Sequence, residues 1–345
     1  MAETPWWRRE CFAARVPYLA ARGAALRAVR HYFEAEGFVE VDTPALQISP
    51  GLEPHLRAFA TTLDEPGAGP RPFFLHTSPE FAMKKLLAAG VPKLFQLAHA
   101  FRNGERGAIH HPEFTLLEWY RAGATYRELM ADCERLLTEV LAAAGGTRYS
   151  WQGRVADPRR PWQRETIAGV FAERCGIDLL ATAPDPEQPN LTLLAQAAKP
   201  LGIAPHPGDD WEDLFFRIFL ERIEPTLGIG APTILADYPI AMAALAHAKP
   251  DDPRVAERFE VYVAGLELAN GFSELTDAAE QRRRFERDRA KKRARYSEAY
   301  PVDEDFLAAL ESMPPSAGVA LGVDRLIMLA AGASRIDDVL WSPVA

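Results

Sequence analysis

Apolar residues recur at helical spacing over 18–36, where Leu19, Leu26, Val29 and Phe33 share a stripe and Gly37 follows as a C-terminal stop. This predicts an amphipathic helix at the start of the fold. The period then changes, and FVEVDTP reads as a short strand halted by Pro44. β-Branched and aromatic runs predict further strands over 73–75, 93–101, 114–120, 232–237, 259–268 and 318–321. Helical spacing returns over 79–89, 126–144, 164–175, 211–223, 276–296 and 324–331. Because the strands do not alternate regularly with helices, the pattern predicts an α+β fold, an antiparallel sheet with flanking helices, over a doubly wound parallel one. The stretch 148–209, where ADPRRP, ATAPDPEQP and APHPGDD concentrate proline and acid, reads as connections around two helices with too little apolar content for a core of its own.

Composition narrows the function classes. A chain of 345 residues that is 48% hydrophobic and 25% charged is globular and excludes disordered or fibrous classes. Its 39 Lys and Arg against 48 Asp and Glu, a net charge of −9, disfavour a broad phosphate-backbone interface while leaving room for a local basic patch. Cys11, Cys133 and Cys175 are far apart and form no CxxC pair, so neither zinc nor a disulfide framework is expected. No apolar run approaches the ~18 residues of a membrane span. A soluble, cytoplasmic protein is the expectation.

The common nucleotide-binding signatures are absent: there is no GxxxxGKS or GxxxxGKT loop and no GxGxxG. In KLFQLAHAFRNGERGAIHHPEFTLLEWYRAG, two strands are joined by an eleven-residue connection, 103–113. Alternation sets Arg102 beside Ala98 and Ala100, and puts Phe114, Leu116, Glu118 and Tyr120 on one face. That arrangement suits a small-molecule floor with an anion-binding guanidinium. It equally suits a partly solvated hairpin with a salt-bridged Arg102.

RFEVYVAGLELANGFSELTD spaces Glu260, Glu267 and Glu274 seven residues apart. On a helix the three would form a solvated stripe, whereas Val261, Tyr262, Val263 and the breakers Gly265 and Asn270-Gly271 favour a strand. On that strand Glu267 shares the face of Phe259, Val261 and Val263, where a carboxylate needs a cation or donor. The three carboxylates converge only if bulges near Ala264-Gly265 and Asn270-Gly271 bring them to one side. GVALGVDRLIMLAAG reads as a strand entering an apolar helix with Arg325 in its first turn, and HTSPEFAMKKLL places Ser78, Pro79 and Glu80 at a helix start.

Together these segments resemble the class II aminoacyl-tRNA synthetases of the lysine-specific kind. GFVEVDTPAL resembles motif 1, FRNGERGAIHHPEFTLLEWY motif 2 and ALGVDRL motif 3, while TSPEFAMKKLL and ELANGFSEL resemble the lysine-site segments. The resemblance runs from Leu26 to Ala331 in the family's order. Only 36 residues precede Gly37, too few for an anticodon-binding OB-fold, so one catalytic domain over 1–345 without anticodon recognition is expected. In this it is similar to the elongation factor P (R)-β-lysine ligases, or lysyltransferases, especially over HPEFTLLEWYRAG, RVAERFEVYVAGLELANGFSELTDA and GVALGVDRLIMLA.

The resemblance implies a ligase that uses ATP and Mg2+ to activate lysine or (R)-β-lysine, has elongation factor P as partner, and forms a homodimer through motif 1 away from any membrane. It implies Arg102 and Arg325 as catalytic, with Arg102 on the α-phosphate and adenine stacked between Phe114 and Arg325. Asn103, Gly104, His111, Glu267, Leu268 and Gly322 would complete the ATP site, and Glu260 and Glu267 would hold Mg2+. Ser78, Pro79, Glu80 and Asn270 would frame the amino acid, with Glu80 facing its α-amino end and Glu118, Tyr120 and Glu274 enclosing its side-chain ammonium. Gly104 stands where the family is usually acidic, His111 where Asn is common, and Ala320 where lysyl-tRNA synthetases carry Gly. Two other readings stay open: an aminoacyl-tRNA ligase with the same chemistry, and an inactive lysine or nucleotide sensor. The run QRRRFERDRAKKRAR, with nine basic residues, reads as a solvated helix face or a docking patch for an acidic partner.

Overall fold

The computed structural model describes residues 5–67 and 69–344. Helix α1 (Arg9–Ala35) starts upstream of the predicted boundary, with Pro17 inside it, and buries Leu19, Ala25, Val29, Tyr32 and Phe33. Gly37, at φ +77°, reverses the chain so that the Phe38 amide donates to the Phe33 carbonyl at 2.9 Å. The remaining helices are α2 (Glu80–Ala88), α3 (Tyr126–Ala143), α4 (Ile167–Cys175), α5 (Leu191–Ala198), α6 (Trp211–Ile218), α7 (Ala278–Tyr296), α8 (Glu304–Leu310) and α9 (Val323–Ala331). A capping box between Thr125 and Glu128 sets the start of α3 where the apolar period begins.

The main sheet contains β1 (Val39–Glu40), β2 (Lys93–Phe101), β3 (Glu113–Ala122), β4 (Gln163–Thr166), β5 (Thr233–Pro239), β6 (Asp252–Val263), β7 (Leu266–Ser273) and β8 (Ser316–Gly322). Their order is β1-β2-β3-β8-β7-β6-β5-β4, with 248–249 also paired to β6. The centre is antiparallel as expected, and each edge adds a parallel pair, β1 on β2 and β4 on β5. The predicted single strand over 259–268 is instead a hairpin. Ala264 and Gly265, at φ +53° and +81°, form the left-handed two-residue turn that the twist of paired strands favours.

Cross-strand register divides the side chains. Phe95, Leu117, Trp119, Val319, Leu321, Ala269, Phe259 and Val261 face a core closed by α1, α3 and α9. On the other face, Gln96, Glu118, Ala320, Asn270, Glu260 and Leu235 lie in a row across six strands. Two bulges adjust that row. Leu268 is the extra residue between the pairs Val261/Ala269 and Tyr262/Glu267, which turns Glu267 to the polar face. At the second, Asp237, at φ +60°, stands alone opposite Glu257 and Arg258, and this irregularity turns Tyr238 the same way. A convergence-producing bulge thus exists, but Asn270 and Gly271 pair without interruption and 264–265 is the hairpin turn.

Two further expectations are corrected. Residues 167–227 have their own core, in which Phe171, Trp211, Phe215 and Phe219 stack in series against Leu235, Tyr238 and Tyr262 of the sheet. Polar punctuation in 148–209 concealed the apolar residues of α4 and α5, which pack with α6. The basic run of α7 is neither wholly solvated nor a free patch: Arg282, Arg283 and Arg293 are exposed, but most of its charge is met within the chain. Lys291 pairs with Asp210 and Glu212, Arg295 with Asp213, Arg283 with Glu187 and Arg282 with Glu304. Lys292 is buried and donates to the Pro54 and Leu56 carbonyls at 3.0 and 2.6 Å.

A buried ion pair joins the three elements behind the polar face. Arg22 of α1 pairs with Asp324 of α9, donates to Thr115 Oγ1 on β3 at 2.8 Å, and Asp324 accepts from the Thr115 amide at 2.7 Å. Removing one partner strands the other charge in a site nearly closed to water. Asp324→Ala is therefore expected to lower stability by about 3–5 kcal/mol, read as a fall in denaturation midpoint. A midpoint unchanged from the parent protein would show that the pair does not hold these elements together.

Candidate active site

The polar face opens into two adjoining cavities of about 1060 and 140 Å³. The larger is lined by Arg102, His110, His111, Phe114, Glu260, Glu267, Leu268, Gly322 and Arg325, and the smaller by Ser78, Pro79, Glu80, Glu118, Tyr120 and Gly318. Arg102, Asn270 and Ala320 line both. Asn103 and Gly104 are exposed and belong to neither cavity lining, whereas Glu105 faces the larger one.

In the larger cavity, the Arg102 guanidinium lies 5.0 Å from the Phe114 ring centroid and Nε donates to the Thr77 carbonyl at 3.4 Å. Arg325 is fixed by the Ile109 and Glu267 carbonyls at 3.2 and 2.9 Å and meets His110 Nε2 at 2.6 Å. Arg325 is thereby anchored on the backbone of the same residue whose carboxyl the bulge re-aims. Burial and the two neighbouring arginines keep His110 below the ordinary histidine range, hence a neutral acceptor for Arg325. His111 is tied at both nitrogens, Nδ1 to the Glu113 carbonyl at 2.5 Å and Nε2 to the Val344 amide at 3.0 Å. Since the second contact is with an N–H, Nε2 accepts and Nδ1 carries the proton.

Glu260 accepts from Tyr238, Tyr262 and Arg258 at 2.5, 2.6 and 2.6 Å. Neither tyrosine nor Arg258 is among the residues singled out from sequence. The signal was available for two of them, because Arg258, Glu260 and Tyr262 alternate onto one face; Tyr238 arrives through a bulge that periodicity does not reveal. Glu267 has no such donors. Burial, then the Glu260 charge, raises its carboxyl to about 8.

In the smaller cavity, Glu118 accepts from Ser78 Oγ and Tyr120 Oη at 2.5 and 2.8 Å. Burial and Glu80 still raise it to about 7. Glu274 lies beneath Gly318, is raised to about 8 chiefly by burial, and pairs with Lys84, which also pairs with Glu80. Lys84 is a further residue missed from sequence. Its cue was the i,i+4 spacing from Glu80 on α2. Gly318 is required here, because a Cβ would stand 2.2 Å from Tyr120 Cε1 and 2.7 Å from Glu274 Oε1.

A family model described as tRNA synthetases class II (D, K and N) matches residues 14–345. The chain belongs to this class II synthetase family. It is also similar to proteins named elongation factor P (R)-β-lysine ligase: 41% identical over 343 residues to that of Sodalis glossinidius, covering 99% of this chain and 98% of the relative. The corresponding figures are 39% over 344 residues, 99% and 98%, for Enterobacter sp., and 39% over 335 residues, 96% and 97%, for Vibrio atlanticus.

Class II synthetase chemistry calls for a divalent cation on the nucleotide phosphates, and the donor set suits Mg2+. Among the described residues no group of three or more His, Cys, Asp or Glu gathers that could hold a metal ion alone. Mg2+ needs fewer, since one or two carboxylates plus substrate phosphates and water complete its octahedron. Glu267, given no side-chain donor and close enough to Glu260 to be raised by it, keeps lone pairs that such a cation could use.

The buried carboxylates give a pH signature. Between its ordinary 4.5 and about 8, Glu274 holds a proton in the folded chain that it loses on unfolding, so stability falls as pH rises through that window. Glu274→Gln is expected to flatten the decline by on the order of 2 kcal/mol between pH 5 and pH 8 without substrate. Denaturant titrations at both pH values measure it, and parallel declines in parent and variant would contradict the assignment.

Proposed function

We propose that this chain activates a lysine-type diamino acid, (R)-β-lysine foremost, with ATP, and transfers the acyl group to a lysine ε-amine of elongation factor P. The observation that carries the reading is the position of Arg102 at the junction of the two cavities. One cavity has the dimensions and arginine-aromatic lining for a nucleotide, and the other offers carboxylates and a phenol to ammonium groups. Their junction is where an amino-acid carboxylate and an α-phosphate would meet.

In the first half-reaction a carboxylate oxygen attacks the α-phosphorus, a P–O bond forms, and pyrophosphate leaves with the electron pair of the broken bond. Arg102, held by Thr77 and Phe114, would neutralise charge developing on the α-phosphoryl oxygens. Arg325, immobilised by two carbonyls, would cover the adenine face opposite Phe114. Mg2+, held by Glu260 and Glu267, would neutralise phosphate charge. In the second half-reaction the acceptor amine attacks the acyl carbon, AMP leaves and the new amide nitrogen loses a proton. We read the family-matched span as one catalytic unit and the active form as a homodimer. Close similarity to ligases named for elongation factor P supports the protein acceptor over a tRNA hydroxyl. Retention of both arginines and both metal-site carboxylates supports turnover over sensing.

Incubation with ATP, Mg2+, elongation factor P and each lysine isomer is expected to add one lysyl group to the acceptor by intact-mass analysis, with (R)-β-lysine the better donor. Acylation of bulk tRNA with no mass change on the protein would replace this reading by the tRNA ligase. Ala320 pairs with Glu118 and Asn270 and lines both cavities, so its methyl bears on where the amino group sits. Ala320→Gly is expected to move the ratio of kcat/KM for the two isomers toward α-lysine by about tenfold, the range one methyl group commands in a fitted pocket. An unchanged ratio removes Ala320 from isomer selection.

A further inference from the structure

We infer that Lys84 is a specificity-determining residue whose ammonium, lodged between Glu80 and Glu274, sets the charge of the smaller cavity to suit a substrate bearing two ammonium groups. This rests on the diamino-acid reading and extends it. Lys84 is 1% exposed and ion-pairs with both carboxylates, one on its own helix α2 and one beyond the end of β7. Its Nζ lies 5.1 Å from the ring centroid of Phe272, which lines both cavities. Glu274 Oε1 is buried and accepts no hydrogen bond. It lies against the Gly318 backbone beside Tyr120, in the place a Cβ would fill.

Charge counting separates a pocket device from an ordinary structural pair. Glu80, Glu118 and Glu274 supply three carboxyl groups and Lys84 one ammonium, Ser78 and Tyr120 contribute only neutral donors, and Glu53 and Arg102, which also line the smaller cavity, offset each other. A purely structural bridge would balance itself. With every group ionised two negative charges remain, a costly arrangement that protonation of Glu118 and Glu274, raised to about 7 and about 8, relieves until cations enter. A diamino acid joined to AMP as a mixed acyl-phosphate anhydride has lost its carboxylate charge and carries two ammonium groups, the matching number. An amino acid with one ammonium leaves a carboxylate unmatched. Without Lys84 the same substrate would leave an excess carboxylate.

The test measures amino-acid-dependent pyrophosphate exchange at pH 8 for the parent protein, Lys84→Met, Glu274→Gln, and the double variant, with (R)-β-lysine, α-lysine and 2-aminohexanoic acid. Lys84→Met is expected to raise KM for the diamino acids at least about tenfold while KM for ATP stays within about twofold. The double variant, again with two net negative charges, is expected to regain about fivefold or more over Lys84→Met, a coupling that independent structural damage would not produce. Lys84→Arg, which keeps the charge, is expected to hold the diamino-acid KM within about threefold of the parent and carries the comparison if Lys84→Met does not fold. An unchanged diamino-acid KM in Lys84→Met, a parallel rise in the ATP KM, or a double variant no better than Lys84→Met overturns the role of Lys84. Parent protein that exchanges pyrophosphate with no diamino acid overturns the underlying functional reading instead.

Discussion

A β-strand sends alternate side chains to opposite faces, and this chain must keep an apolar core on one side of its sheet and a charged site on the other. The six-strand row from Gln96 to Leu235 obeys that alternation, so Glu118, Ala320, Asn270 and Glu260 meet without any loop having to deliver them. Two functional side chains have the wrong parity for their strands. Register irregularities at Leu268 and opposite Asp237 bring Glu267 and Tyr238 to the site. Glu267 then serves twice, its side chain turned to the site and its carbonyl accepting from Arg325 beside it.

The site is then defined by how each buried charge is met. Glu260 has three donors, Glu118 two neutral ones, and Glu267 none. The ordering is chemically sensible for a reaction that brings its own cations. A carboxylate saturated by protein donors holds its position, while an unsaturated one keeps lone pairs for metal or substrate. The cost falls on stability, because desolvated carboxylates held near protonation at neutral pH oppose folding. Opposing that cost are the pair of Arg22 with Asp324 and two separate apolar cores.

Much of this architecture was legible from alternation and helical period. The strands carrying Arg102 and Glu118, the face shared by Phe114 through Tyr120, and α3 were readable because each is local: a period, a cap or a proline decides it. The hairpin at Ala264-Gly265 was misread as a bulge because Ala in a left-handed conformation carries no compositional mark. The core over 167–227 was missed because its residues are dispersed among prolines and acids and become contiguous only when α4, α5 and α6 pack. Arg258, Tyr238 and Lys84 escaped notice for a related reason. Each acts by meeting a carboxylate whose position depends on tertiary register, so the alternation that marks Arg258 and the i,i+4 spacing that marks Lys84 do not by themselves tell such a partner from an ordinary surface residue, and Tyr238 carries no local cue at all.

The basic helix α7 shows how misleading composition is when charges are counted along the chain instead of through space. Its lysines and arginines face Asp210, Glu212, Asp213 and Glu187 at the far end of the larger cavity. An acidic partner would have to displace those carboxylates, exchanging one set of ion pairs for another with little net gain. The same helix drives Lys292 into the Pro54 and Leu56 carbonyls, and the Tyr300 hydroxyl accepts from the Ala58 amide at 2.9 Å. Residues 54–58, of which Pro54, His55 and Leu56 line the larger cavity, are thus held by groups on and just beyond α7. Much of the positive charge on α7 is met within the molecule, joining the second core and the cavity wall to the face on which the site is built, while Arg282, Arg283 and Arg293 stay exposed to solvent.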